Sequence, residues 1–318
     1  MALTNARLSG NLPSRAQGVT RAMLPTELVR LSALMERTSG IPDIRIGLID
    51  GPVLTRHADL ASENLREIPG NNGAACTQAN SAACLHGTFI AGILSAKRNS
   101  PAPAICPGCT LLIRPIFTEK TAGREHMPSS TPQELAAAIL ECIGAGARIV
   151  NLSLALAQPS TKGEHALEEA LNLALRRGVL IVAAAGNQGT LGSSAITRHP
   201  WVIPVVACDL RGRPINESNL GSSIGTRGLS APGDNITSLN ADGQSVTLGG
   251  TSVAVPFVTG TIALLWSEFP AATDAQIKLA ITQAFTTGSR RASVVPPLLD
   301  ADTAWQTLLT LNARRRIA

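Results

Sequence analysis

The sequence predicts an α/β fold built on a largely parallel sheet flanked by helices. Three observations lead there. Apolar, strand-like runs alternate with helical patterns from about residue 44 to 285. Val179 to Ala185 is apolar with no polar alternation, as in a strand covered on both faces, and Val202 to Ala207 is another such strand. Capping signals stand at the head of two helical stretches, Thr131-Pro132-Gln133-Glu134 and Thr273-Asp274-Ala275-Gln276.

In chain order, residues 25–38 carry Leu28, Leu31, Leu34 and Met35 at helical spacing, and Gly40 and Pro42 stop that helix. Arg45 to Ile49 reads as a buried strand ending in Asp50. Residues 70–84, rich in Gly, Asn, Ala and Ser, read as a loop, followed by a buried helix over 86–96 that begins at His86. Thr110 to Phe117 is a strand. The Thr131 cap opens a helix through Ala136, Ile139 and Ile143 to Gly146, and strand Arg148–Leu154 follows. A helix over about 164–177 ends at Arg176-Arg177-Gly178, with basic residues in its last turn and glycine just beyond. Residues 252–268 form a Ser-initiated apolar helix, and Thr273 caps one more. The expected organisation is an arm and helix over 1–40, one main domain over 41–290, and a tail over 291–318 with a basic end, Arg314-Arg315-Arg316.

At 318 residues, 44% hydrophobic and 15% charged, the chain can bury a sizeable core, which excludes global disorder. No run approaches ~18 apolar residues, so no membrane span is expected. Aromatics are 3% with no Tyr, too few for a platform that stacks single-stranded nucleic acid. The net charge of +5 owes part of its size to the terminal arginines, and no basic stripe crosses the body, so nucleic acid is not an expected partner. Met1 to Thr20 has no apolar signal core, which predicts a cytoplasmic chain with reduced thiols as the default. Cys76 and Cys84 bracket the loop before His86, and Cys106 and Cys109 form a Cys-x-x-Cys pair. Local disulfides, free thiols and a shared metal stay open for these four. Cys142 and Cys208 read as buried small hydrophobes.

An open parallel sheet places functional groups at the carboxyl ends of its strands. Four residues stand there: Asp50 after an apolar strand, His86 where a loop meets a helix, Asn187 after strand 179–185, and Ser252 heading an apolar helix. Each alone is an ordinary cap or turn residue; the joint pattern is not. Ile46-Gly47-Leu48-Ile49-Asp50, His57-Ala58-Asp59-Leu60, His86-Gly87-Thr88-Phe89-Ile90-Ala91-Gly92, Val150-Asn151-Leu152-Ser153-Leu154, Ala183-Ala184-Ala185-Gly186-Asn187, Ala231-Pro232-Gly233 and Gly250-Thr251-Ser252-Val253-Ala254-Val255-Pro256 resemble, in order, the signature segments of the subtilisin-like serine proteases. The resemblance implies a subtilisin-like three-layer fold over 41–290 and a serine endopeptidase. Ser252 would attack, His86 would move the proton, Asp50 would orient His86, and Asn187 would donate to the oxyanion. Ser153, Leu154, Ala155, Leu156, Gly186 and Gln188 would bind substrate, with a preference for small or modest uncharged side chains.

Asp50-Gly51-Pro52 departs from the family's usual Asp-Thr/Ser-Gly and is similar to the subtilases of cyanobactin maturation, as is Cys109 to Phe117. That likeness implies cleavage of a ribosomally made precursor or leader peptide. Asp50 and His86 are 86 − 50 = 36 positions apart, leaving little room for the helical insertion of the macrocyclising members, so hydrolysis is expected rather than transpeptidation. A non-catalytic peptide-binding relative is the competing reading. No cofactor is implied, and no Asp/Glu cluster shows calcium-ligand spacing, so no metal is expected. The oligomeric state is not read from the sequence.

Overall fold

The structure is a computed structural model and describes residues 23–68, 76–119, 130–155, 164–283 and 293–315. Its elements are α1 (Pro25–Leu28), α2 (Ser32–Arg37), β1 (Arg45–Asp50), β2 (Leu65–Glu67), α3 (Ala82–Ser95), β3 (Thr110–Pro115), α4 (Pro132–Gly144), β4 (Ile149–Leu152), α5 (Glu164–Arg176), β5 (Leu180–Ala184), α6 (Ala195–Arg198), β6 (Val202–Cys208), α7 (Ser222–Arg227), β7 (Leu229–Pro232), β8 (Ile236–Leu239), β9 (Ser245–Leu248), α8 (Thr251–Glu268), α9 (Asp274–Gln283) and α10 (Ala301–Arg315).

The central sheet runs β2-β3-β1-β4-β5-β6-β7, and every pair in it is parallel. β8 and β9 form a separate antiparallel pair. From β1 the chain passes to β2 at the sheet edge, comes back inward to β3 beside β1, and then crosses to β4 on the other side of β1. β1 and β4 therefore flank the reversal where open α/β sheets form their crevice. One apolar core packs α3 and α8 against one face, and a second packs α4 and α5 against the other. α8 is buried along nearly its whole length, which suits a helix apolar on every side. The Thr131 cap forms as expected: its side chain accepts from the Glu134 N–H.

Three local readings are corrected. The single helix expected over 25–38 is two short helices, because Arg30 takes φ 52° and turns the chain so that Val29 and Leu31 are both buried. The Arg30 side chain is held from afar, by Asp300 at 2.9 Å and by Asp302. Helix α3 starts at Ala82 under a Ser81 cap, so His86 lies inside the helix rather than at its first residue. The C-terminal segment carries α10, whose Ala301, Ala304 and Leu308 are buried and whose Trp305 ring sits 6.1 Å from Phe269. The N-terminal residues 1–22 lie outside the described residues, as does Arg316.

Candidate active site

Asp50 closes β1 and is fully buried. Its Oδ1 accepts from the Gly51 N–H at 2.6 Å and from His86 Nδ1 at 2.7 Å. A carboxylate can only accept, so Nδ1 carries the ring proton. Nε2 is thereby left as an acceptor, and it faces Ser252 Oγ at 3.1 Å. Two glycines permit this approach. A Cβ on Gly51 would fall 2.0 Å from the Ala83 carbonyl oxygen, and one on Gly87 would fall 2.4 Å from the Gly51 carbonyl oxygen. Strand end and helix cross in near backbone contact, which brings His86 to Asp50.

Burial works against the imidazolium at His86, but the Asp50 charge and its hydrogen bond outweigh it and hold the pKa above the ordinary 6.5. Ser252 is half-buried in the first turn of α8. Its N–H has no helical acceptor there and is free to donate to a ligand. Its carbonyl also lacks the usual helical partner, because the residue four positions on is Pro256, which has no N–H. Ser153 fills the gap: its hydroxyl donates to the Ser252 carbonyl at 2.8 Å. Ser153 Oγ accepts in turn from Asn151 Nδ2 at 2.9 Å, and Asn151 Oδ1 accepts from the Thr259 hydroxyl at 2.8 Å. Ser153, expected to touch substrate, braces the backbone of Ser252.

Asn187 is exposed and follows β5 through Gly186, whose φ is +108°. Asn187 Oδ1 accepts from both the N–H and the hydroxyl of Thr251, each at 2.9 Å. The Thr251 N–H fixes that atom as the oxygen, so Nδ2 remains a donor beside the Ser252 turn. The Thr251 hydroxyl also accepts from the Gly186 N–H at 3.3 Å. Thr251 was not singled out from the sequence, although it stands in the Gly-Thr-Ser segment beside the chosen serine.

His86, Ser153, Leu154, Ala155, Gly186, Asn187, Gln188 and Ser252 all line one cleft of about 560 Å³. Asp50 stands behind His86, away from it. Leu156 lies outside the described residues. Leu85, Ile116, Phe117 and Leu135 add apolar walls that strand-end reasoning had not reached, and among the described residues no Asp, Glu, Lys or Arg lines the cleft.

The match to known proteins is direct. A family model described as "Subtilase family" fits residues 42–297. The chain belongs to the subtilases. It is 34% identical over 202 residues to a thermostable alkaline protease of Halalkalibacterium halodurans, a match that takes in 63% of this chain and 52% of that protein. It therefore spans about half the length of that relative. It is 26% identical to Subtilisin DY of Bacillus licheniformis over 77% of this chain and 84% of that protein. Among solved structures, a mutant of the protease domain of PatA superposes with a TM-score of 0.77 at 30% identity, covering 85% of this chain and 97% of that one. The Prenylagaramide maturation protease PagA superposes with a TM-score of 0.75 at 28% identity, covering 87% and 98%. These neighbours agree with the cyanobactin-type likeness read from Asp50-Gly51-Pro52.

The cysteines left open by the sequence now divide. Cys76 and Cys84 form a disulfide that ties the loop before α3 to its first turn. Among the described residues, the grouping of Cys76, Cys84 and Glu119 that could hold a metal has its two sulfurs joined to each other. Cys106 and Cys109 are buried free thiols. Burial pushes the thiols of Cys142 and Cys208 up to about 12, consistent with small apolar groups that do no chemistry.

Proposed function

We propose that this subtilase is a serine endopeptidase that hydrolyses a ribosomally made precursor peptide, using Asp50, His86 and Ser252 with an oxyanion site made by Asn187 Nδ2 and the Ser252 N–H. The observation that carries the reading is the unbroken line from carboxylate to ring to hydroxyl, 2.7 Å and then 3.1 Å, at a cleft open to substrate. His86 takes the Ser252 proton as Oγ attacks the scissile carbonyl, and returns it to the leaving amine. Asp50 holds the ring and stabilises the imidazolium. Water then enters by the same route and releases the acyl group. The maturation proteases among the structural neighbours support a precursor peptide as substrate. Hydrolysis rather than ring closure fits the segment between β1 and α3, whose described residues hold no helix beyond the three-residue turn Ser62–Asn64.

The cleft walls set a specificity. Apolar Leu85, Ile116, Leu135 and Leu154, with uncharged Gln188 at the rim, favour uncharged side chains before the scissile bond. In a peptide library, Asp, Glu, Lys or Arg at those positions should lower kcat/KM at least ~10-fold, since each charge would be desolvated against a described lining that holds no Asp, Glu, Lys or Arg. Equal rates for charged and apolar peptides would refute this. Mass spectrometry of the products in heavy-oxygen water tests the reaction type: labelled linear acids are expected, and unlabelled cyclic products would establish transpeptidation.

No helix among the described residues is long and apolar enough to cross a membrane. A cytoplasmic site of action is part of the proposal, and the Cys76–Cys84 bond bears against it, because local disulfides persist in oxidising compartments. Protein isolated in the presence of an alkylating reagent decides the matter. Alkylated Cys76 and Cys84 would place the working enzyme in a reducing compartment; an unreactive pair would place it in an oxidising one.

A further inference from the structure

We infer that Asn219 is a positioning residue that acts through Asn187, an inference that rests on the reading of Asn187 as oxyanion donor. The turn that carries Asn187 is tied at its far end by backbone bonds of Gly189 and Thr190 to residues 217 and 220, which leaves residues 187 and 188 to be placed by side chains. Residues 187–190 are exposed, and both Gly186 (φ +108°) and Gly189 (φ +62°) occupy a backbone region open to glycine at no steric cost. A donor on such a turn helps catalysis only if its place is fixed before the reaction.

Asn219, half-buried in the segment after β6, supplies that constraint. Its Oδ1 accepts from the Gln188 N–H at 3.0 Å, and from the Thr190 N–H and hydroxyl, both at 3.1 Å. Its Nδ2 donates to the Ala185 carbonyl at 3.3 Å and to Gln188 Oε1 at 2.7 Å. Its own N–H donates to the Gly186 carbonyl at 2.9 Å. One residue therefore binds the chain at 185 and 186 before Asn187, and at 188 and 190 after it. The fit requires a carboxamide, which places an acceptor and a donor on one carbon. It also explains the glycine at 186, where a Cβ would lie 2.3 Å from Asn219 Nδ2. Thr251 holds the Asn187 side chain; Asn219 holds the backbone beneath it.

A double-mutant cycle read in kcat and KM tests this. Asn219→Ala should lower kcat by ~10- to 100-fold, the scale of a misplaced catalytic group, and change KM by less than ~3-fold. Asn187→Ala should lower kcat by ~10²- to 10³-fold, the range known for this donor in subtilisin. In the Asn187→Ala background, adding Asn219→Ala should cost less than ~2-fold, because the group it positions is gone. If Asn219→Ala costs the same factor in both backgrounds, Asn219 does not act through Asn187 and the inference fails while the oxyanion assignment stands. If Asn187→Ala leaves kcat unchanged, the oxyanion assignment fails and the inference with it. Should Asn219→Ala not fold, Asn219→Ser, which keeps a small neutral hydrogen-bonding side chain, carries the same cycle.

Discussion

Ser252→Ala is expected to lower kcat by about 10⁶-fold, the loss measured for the nucleophile of subtilisin, a fellow member of the family. The structure accounts for a loss of that order without a loss of fold. The Ser252 hydroxyl meets His86 Nε2, whereas the backbone of the residue, through its carbonyl, is what Ser153 braces. Removing Oγ deletes the attacking atom and leaves the helix start in place. A fluorophosphonate should label the natural chain at Ser252 and leave the variant unlabelled, while thermal melting shows both folded. Activity within ~100-fold of the natural chain would mean that another group attacks, and no label on folded natural protein would favour a peptide binder over an enzyme.

Asp50→Ala is the second large effect, with kcat expected to fall by about 10⁴-fold, again the subtilisin scale. It has a signature that mere damage would not produce. In the natural chain His86 must be neutral to accept the Ser252 proton, and its pKa is held above 6.5. The acid limb of kcat/KM therefore lies above 6.5, with activity lost as pH falls through that raised value. Without Asp50, both influences that raise the pKa vanish and burial alone remains, so the limb should move below 6.5. A variant that is slow but keeps its acid limb in place would show that Asp50 does not set the state of the ring.

The site was legible because its members are announced locally. Asp50 ends an apolar strand, Ser252 stands second in an apolar helix that begins at Thr251, and Asn187 follows Gly186 at a strand end. Each signal needs only neighbours along the chain. Asn219 gave no such signal, since its meaning lies in contacts with residues 185 to 190 that a sequence pattern does not display. The break at Arg30 was hidden for the same reason: a non-glycine residue at φ 52° is held by Asp300 and Asp302 from the far end of the chain. The start of α3 was lost in a polar, alanine-rich stretch, where Ser81 caps without a charged partner three residues later. The Cys76–Cys84 bond was left open because a separation of eight residues allows a bond without requiring it. Helix α10 is obscured by a polar surface and a basic end, although Ala301, Ala304 and Leu308 on its inner side are buried.

The proline inside α8 has a consequence for how this chain tolerates change. Because Pro256 withholds an amide, an alcohol just past the end of β4 has taken over one rung of the helical ladder. Ser153→Ala would orphan that oxygen, whereas Pro256→Ala would return its own partner and relieve the alcohol of that one bond. Two sites far apart in the chain are therefore energetically coupled, so that a change at residue 153 costs less once position 256 carries an amide of its own.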